Sequence, residues 1–81
     1  MTVRVLLFAH YRDIVPGGQT ELTLPESATV ADAAAALANR DPRLAGILNR
    51  TRVAVAADFA EPDTLLKDGD ELAFLPPMSG G

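Results

Sequence analysis

The residues best suited to chemistry are Gly80 and Gly81, the last two of an 81-residue chain. Glycine has no Cβ, so a narrow channel can close around its backbone and receive a terminal carboxylate. Such a carboxylate is ordinarily ionised at pH 7. It can therefore attack the α-phosphate of ATP to form an acyl-adenylate, which a sulfur or amine nucleophile can then attack. The alternative interpretation is a frayed terminus whose glycines have no chemical role.

The residues ahead of the two glycines predict an extended tail. Pro76 and Pro77 remove backbone donors and favour a polyproline conformation, so a preceding strand must end there. Residues 76–81 span roughly 20 Å when extended, whereas a body of this size has a radius of gyration of about 12 Å. We therefore predict a domain over residues 1–75 and a tail over residues 76–81. The tail residues that would enter a partner's pocket are Pro76, Pro77, Met78, Ser79 and Gly80.

Other kinds of site find little support in the sequence. The chain has no cysteine and a single histidine, His10, which excludes thiolate chemistry and Cys-ligated or His-rich metal sites. The acidic residues between Asp58 and Glu71 lack the spacing of a calcium-binding loop. We expect no metal site, and we expect His10 to be a solvated turn residue.

Composition and charge restrict the class of protein further. The chain is 48% hydrophobic and 22% charged, which is typical of one globular domain. A net charge of −4 argues against nucleic-acid binding, because phosphate contacts need clustered Lys and Arg. We find no signal peptide and no apolar stretch near the roughly 20 residues that span a bilayer. The sequence therefore predicts a cytoplasmic protein without membrane or nucleic-acid partners.

Hydrophobic periodicity predicts four strands around one main helix. Alternating apolar residues indicate strands over residues 3–9, 20–24, 52–59 and 71–75. A capping box at Thr29 opens the helix, and Pro42 ends it. Its apolar positions recur at helical spacing: Val30, Ala33, Ala34, Leu37 and Ala38.

This order of elements predicts an α+β, ubiquitin-like β-grasp fold: a mixed sheet of four to five strands packed on one helix. A ferredoxin-like arrangement would satisfy the same order of strands, but it needs a second full helix. Residues 43–48 are too few to form one.

Two segments resemble one known family. Residues 66–81, LKDGDELAFLPPMSGG, resemble the ending of molybdopterin synthase small subunits, which are ubiquitin-like sulfur carriers. Residues 5–13, VLLFAHYRD, resemble the first strand and turn of that family. The length and order of elements match as well. This chain has Ala56 where family members often have Asn, and Met78 where valine is commoner.

The resemblance implies a function for Gly81. An ATP-using adenylyltransferase of the ubiquitin-activating type would adenylate it, and a persulfide donor would convert it to a thiocarboxylate. The tail would then enter the large subunit of molybdopterin synthase and pass sulfur to cyclic pyranopterin monophosphate, in molybdenum cofactor biosynthesis. The large subunit would supply the catalytic side chains within a heterotetramer. ATP serves the activating partner, and the chain itself would bind no cofactor.

The resemblance also implies a partner-binding patch of Phe8, Phe59 and Leu75, which match positions of apolar contacts in the family. By strand alternation, Phe8 and Leu75 fall on the side opposite the predicted core, although large apolar residues are usually buried.

Other functions stay open. The alternatives are a sulfur carrier for thiazole, cysteine or tRNA thiolation, and a ubiquitin-like modifier or adaptor.

Overall fold

The computed structural model describes residues 1–76, which form one five-stranded sheet with a single long helix on one face. The strands are β1 (Thr2–Leu7), β2 (Gln19–Thr23), β3 (Arg52–Val55), β4 (Asp58–Ala60) and β5 (Glu71–Leu75). The helices are α1 (Tyr11–Ile14), α2 (Val30–Arg40) and α3 (Ile47–Arg50), with 3-10 turns at Pro16–Gly18 and Pro42–Leu44. Within residues 1–76, no helix has the length and apolar character to cross a membrane.

The strand order is β2-β1-β5-β3-β4, with β1 and β5 parallel at the centre and the other pairs antiparallel. This mixed sheet with α2 as the crossover is the ubiquitin-like β-grasp fold and confirms the predicted fold class. The region after α2 forms only a 3-10 turn and the four-residue helix α3, so no second full helix exists there for a ferredoxin-like arrangement.

The core lies between α2 and one face of the sheet. Alternate residues of β1 and β5 are buried there, because successive side chains of a strand point to opposite faces. Phe74, Leu72, Leu7 and Val5 are at most 2% exposed. From α2, the predicted stripe contributes four buried residues, and Ala38 is half-buried.

Helix α2 begins and ends as the sequence predicts. The Thr29 hydroxyl accepts from the backbone N–H of Asp32 at 3.2 Å, and the Asp32 carboxylate accepts from the backbone N–H of Thr29 at 2.9 Å. This reciprocal pair satisfies two backbone donors that a helix start leaves unpaired. Pro42 stops the helix, because it has no N–H to continue the hydrogen-bond pattern.

Asp41 organises the chain just after α2. Its carboxylate accepts from the backbone N–H of Arg43 at 3.0 Å and from the Arg43 guanidinium at 2.7 Å and 3.0 Å. The side-chain bond to Arg43, followed by the backbone bond, holds the pKa of Asp41 below its ordinary value. Because the pKa of Asp41 is lower in the folded state, its ionised carboxylate stabilises the fold at pH values above the unfolded-state pKa. This stabilisation is lost as the pH falls through the folded-state pKa.

The predicted third strand over residues 52–59 is wrong at its centre. The chain forms a hairpin there, in which β3 and β4 are joined at Ala56 and Ala57 and closed by the pair Val55 and Asp58. Both alanines have positive φ, 51° and 73°, as two-residue hairpin turns of type I′ require. The apolar run continues through the turn without glycine or asparagine, so the hydrophobic periodicity did not predict the hairpin.

The first strand also ends earlier than predicted, at Leu7 instead of Ala9. Ala9 has a φ of 54°, which turns the chain out of the sheet and towards α1. Ala9 is exposed, so it does not extend the buried face of the strand.

We expect Ala57→Gly to stabilise the fold by about 0.5–1 kcal/mol. A left-handed conformation costs a non-glycine residue about 1–2 kcal/mol, and glycine's larger unfolded-state entropy offsets part of that relief. The measurement is the free energy of unfolding in urea. Ala35→Gly is the matched control: Ala35 is exposed in the interior of α2, where the same substitution should destabilise by about 1 kcal/mol. Destabilisation by Ala57→Gly would contradict the idea that the left-handed conformation of Ala57 costs stability.

Candidate functional site

The two central strands bring the candidate residues to one end of the sheet. Strands β1 and β5 are parallel, with Leu7 opposite Phe74, so both strands end at the same end of the sheet. Phe8 follows β1, and Leu75 is the last residue of β5. Pro76 comes directly after β5 and is half-buried. The segment that leads to the two glycines therefore starts beside Phe8.

Apolar residues form a row across the face of the sheet opposite α2, which we call the open face. The strand register places them side by side in the order Leu6, Ala73, Ala54 and Phe59. Leu6 and Ala73 are half-buried, and the Phe59 side chain at the outer edge is 67% exposed. Ala54, between Ala73 and Phe59, is only 8% exposed, so the apolar surface available to a partner comes mainly from Phe59 and in part from Leu6 and Ala73.

A second row lies next to the first, at the end where β5 stops. Leu75 is opposite Arg52 of β3, and Phe8 continues β1 on the other side of β5. Phe8 is 39% exposed and Leu75 is half-buried, whereas Leu7, Leu72 and Phe74 are buried in the core. Strand alternation thus correctly put Phe8 and Leu75 outside the core.

The Arg52 guanidinium lies beside the two apolar rows of the open face. The Cζ atom of Arg52 is 4.7 Å from the centre of the Phe59 ring. A guanidinium over an aromatic face gains about 0.5–1 kcal/mol at an exposed site. The contact holds the Phe59 ring against β3 and places a positive charge beside Leu75.

A shallow depression of about 210 Å³ adjoins Phe8. Leu6, Phe8, Arg12 and Gly18 line it. Gly18 has a φ of 68°, and a Cβ there would lie 2.9 Å from the Leu7 carbonyl oxygen, so glycine permits this close approach. The depression is open and mainly apolar, which suits an inserted side chain of a protein partner.

Other candidate residues have ordinary structural roles. His10 is exposed at the start of α1, and its ring lies 4.1 Å from that of Tyr11. Asp68 accepts from the backbone N–H of Thr2, and Asp70 from that of Lys67, both at 2.8 Å. These carboxylates stabilise the turn before β5. Among residues 1–76, no three His, Cys, Asp or Glu side chains are grouped as metal ligands would be.

The tail residues Pro77, Met78, Ser79, Gly80 and Gly81 lie outside the described residues. Their predicted roles, like the predicted division at residue 75, stay predictions. The sequence reasoning did not name Leu6, Ala54 or Ala73 as part of the surface. Alternation signalled Leu6, but only the register shows that the three residues adjoin one another and Phe59.

Comparison with known proteins gives the family. The profile of the ThiS family matches residues 5–81, nearly the whole chain. The chain belongs to the ThiS family. ThiS-family membership places it among the ubiquitin-like sulfur carriers, as the sequence resemblance implied.

Similar proteins include several named molybdopterin synthase sulfur carrier subunit. The protein from Chlamydomonas reinhardtii is 31% identical, and the match covers 100% of both chains. The protein from Escherichia coli is 34% identical, over 98% of this chain and 99% of the relative.

A solved structure supports the fold. Small archaeal modifier protein 1 from Haloferax volcanii superposes with a TM-score of 0.87 at 27% identity, over 100% of both chains. The β-grasp arrangement of this ThiS-family chain is thus shared with a protein named as a modifier.

Proposed function

We propose that this ThiS-family chain is the sulfur-carrying small subunit of a molybdopterin synthase. The observation that carries the proposal is that the apolar residues of the open face adjoin the end of β5, which Pro76 follows directly. A partner docked on Phe8, Phe59 and Leu75 would lie beside the start of the tail. The names of the relatives and the ending 66–81 support this choice among sulfur-carrier pathways.

The proposed chemistry takes place at Gly81. Its carboxylate oxygen attacks the α-phosphorus of ATP, and pyrophosphate leaves, in the active site of a ubiquitin-activating-type adenylyltransferase. The terminal sulfur of a persulfide then attacks the acyl carbon, and AMP leaves. A second thiol cleaves the remaining sulfur–sulfur bond and frees the thiocarboxylate. The chain contributes the reacting group and no catalytic side chain.

The proposed acceptor is cyclic pyranopterin monophosphate, held by the large subunit of the synthase. Residues 76–81 would enter the large subunit as an extended tail, with Gly80 as the slim residue behind the thiocarboxylate. The large subunit would supply the catalytic side chains, in a cytoplasmic heterotetramer with two large subunits at its centre. On the open face, exposed Phe59 and the half-buried Leu6 and Ala73 would give such a subunit apolar contacts.

A second candidate function is that of a ubiquitin-like modifier, joined to lysine side chains through Gly81. The structural likeness to the Haloferax modifier favours it, because that protein superposes over the whole chain. The two functions use the same activated carboxyl group and differ in its acceptor. Isopeptide links from Gly81 to other proteins would indicate the modifier.

The test is intact-mass spectrometry of the full chain after incubation with ATP, an adenylyltransferase and a persulfide donor. We expect a mass gain that corresponds to one oxygen atom replaced by sulfur. The loaded chain should then convert cyclic pyranopterin monophosphate to the dithiolene product when a large subunit is added. No mass change with an adenylyltransferase that loads a control carrier would overturn the proposal.

A further inference from the structure

Arg12 differs from the other charged residues around the open face. It lines the depression beside Phe8 together with apolar residues, glycines and Gln19, and no acidic side chain is among them. Within residues 1–76, its guanidinium makes no ion pair. Because an arginine keeps its charge at any physiological pH, one positive charge stands in the depression without a paired carboxylate from these residues.

The other basic residues of this surface have acidic neighbours. Arg4 lies between Glu21 of β2 and Glu71 of β5 in the strand register. Arg52 lines a second depression, of about 220 Å³, together with Glu61. These opposite charges largely offset one another, whereas the charge in the first depression remains for a partner.

Gly18 gives the Arg12 side chain its path. A Cβ at this glycine would lie 3.1 Å from Cγ and 3.4 Å from Nε of Arg12. The arginine side chain therefore lies across the glycine backbone, from its stem to the start of its guanidinium. An arginine whose stem is already placed loses less conformational entropy when its head binds a partner.

We propose that the depression receives an acidic side chain of the large subunit, with its carboxylate on the Arg12 guanidinium and its methylene groups against Phe8 and Leu6. This inference rests on the proposed function and names the chemistry of the partner at one point of the docking surface. An arginine fork matches the geometry of a carboxylate and can donate two parallel hydrogen bonds to it. The apolar residues around it exclude water when the partner docks, which strengthens the charged contact relative to one in open solvent.

Net charge alone would indicate the opposite kind of partner. A chain with a net charge of −4 attracts basic surfaces over a long range. At physiological salt, however, ions screen interactions between exposed charges beyond about 8 Å, so contacts in the complex depend on the charges that face one another. The large subunit should therefore present an acidic residue opposite Arg12, whatever the net charge of its surface.

The test is titration calorimetry of the full chain with the purified large subunit. Arg12→Gln keeps most of the side chain and removes the charge; we expect it to raise the Kd roughly 30-fold, as removal of one partner of a desolvated charge pair does. Arg12→Glu reverses the charge and should raise the Kd further. Lys67→Gln and Lys67→Glu are the matched controls, because they change the net charge equally in the turn before β5, and they should leave the Kd unchanged. Urea unfolding checks that each variant is folded.

The outcomes separate this inference from the proposed function. If the unsubstituted chain binds and Arg12→Gln binds equally well, the inference fails and the proposed function stands. Tighter binding of Arg12→Glu would show that a basic group faces Arg12, and an equal loss in the Lys67 variants would assign the effect to net charge; either result overturns the inference. If the unsubstituted chain does not bind a large subunit that is active with a control carrier, the proposed function itself fails, and the inference with it.

Discussion

Deletion of Gly80 and Gly81 should abolish sulfur loading and leave the free energy of unfolding unchanged within about 0.5 kcal/mol, the usual range for surface changes. Loading should fall to background because the terminal carboxylate would then belong to Ser79, which has a side chain, and not to a pair of glycines. The fold should persist because the buried residues of the described part of the chain all lie between Val3 and Phe74. Intact-mass spectrometry measures loading, and urea unfolding measures stability.

The deleted chain should also still bind the large subunit, since the open face lies within residues 1–76. It should therefore act as a competitive inhibitor of product formation by the loaded chain. Met78→Val is the matched control, because it alters the tail and keeps both glycines; it should load normally. If loading survives the deletion, Gly81 is not the residue that carries sulfur. If binding is lost, docking on the large subunit needs the two glycines as well as the open face.

The second large effect is expected on the open face. Phe59→Ala and Phe8→Ala should each weaken binding to the large subunit by about 2 kcal/mol, or roughly 30-fold in Kd, because aromatic anchors dominate interface energies. Phe59→Ala also removes the Arg52 contact that holds the ring in place. Isothermal titration calorimetry with the purified large subunit measures the change.

Leu65→Ala is the control for this experiment. Leu65 is 63% exposed, close to Phe59 at 67%, but it pairs with Thr29 next to the start of α2 instead of lying on the open face. Its removal should leave the Kd unchanged. If Leu65→Ala weakens binding as much as Phe59→Ala, or if neither phenylalanine matters, the open face is not the docking surface.

Local features were predicted well. The Thr29 capping box, the end of α2 before Pro42 and the buried stripe from Val30 follow from contacts within a few residues. Such contacts depend on side chains that stay close along the chain whatever the rest of the fold does. The alternation in β1 and β5 likewise separated buried Leu7 and Phe74 from Phe8 and Leu75.

The hairpin between β3 and β4 could not be predicted in the same way. Ala56 and Ala57 carry no turn signal, and the apolar residues on either side continue the strand pattern. Antiparallel pairing of Val53 with both Ala60 and Phe74 holds the hairpin in place, and those partners are distant or on the far side of the turn. The pairing outweighs the cost of two left-handed alanines.

By itself, the sequence predicted the reacting group of the proposed function, the Gly80-Gly81 ending, and its local patterns specified one helix and most of the sheet. Only the tertiary structure decided which residues of the described part of the chain lie side by side. The row of Leu6, Ala73, Ala54 and Phe59 draws on four strands, and the parallel alignment of β1 with β5 puts Phe8 beside Leu75. Register between distant strands is set by hydrogen bonds and core packing formed together, so no short stretch of sequence contains it.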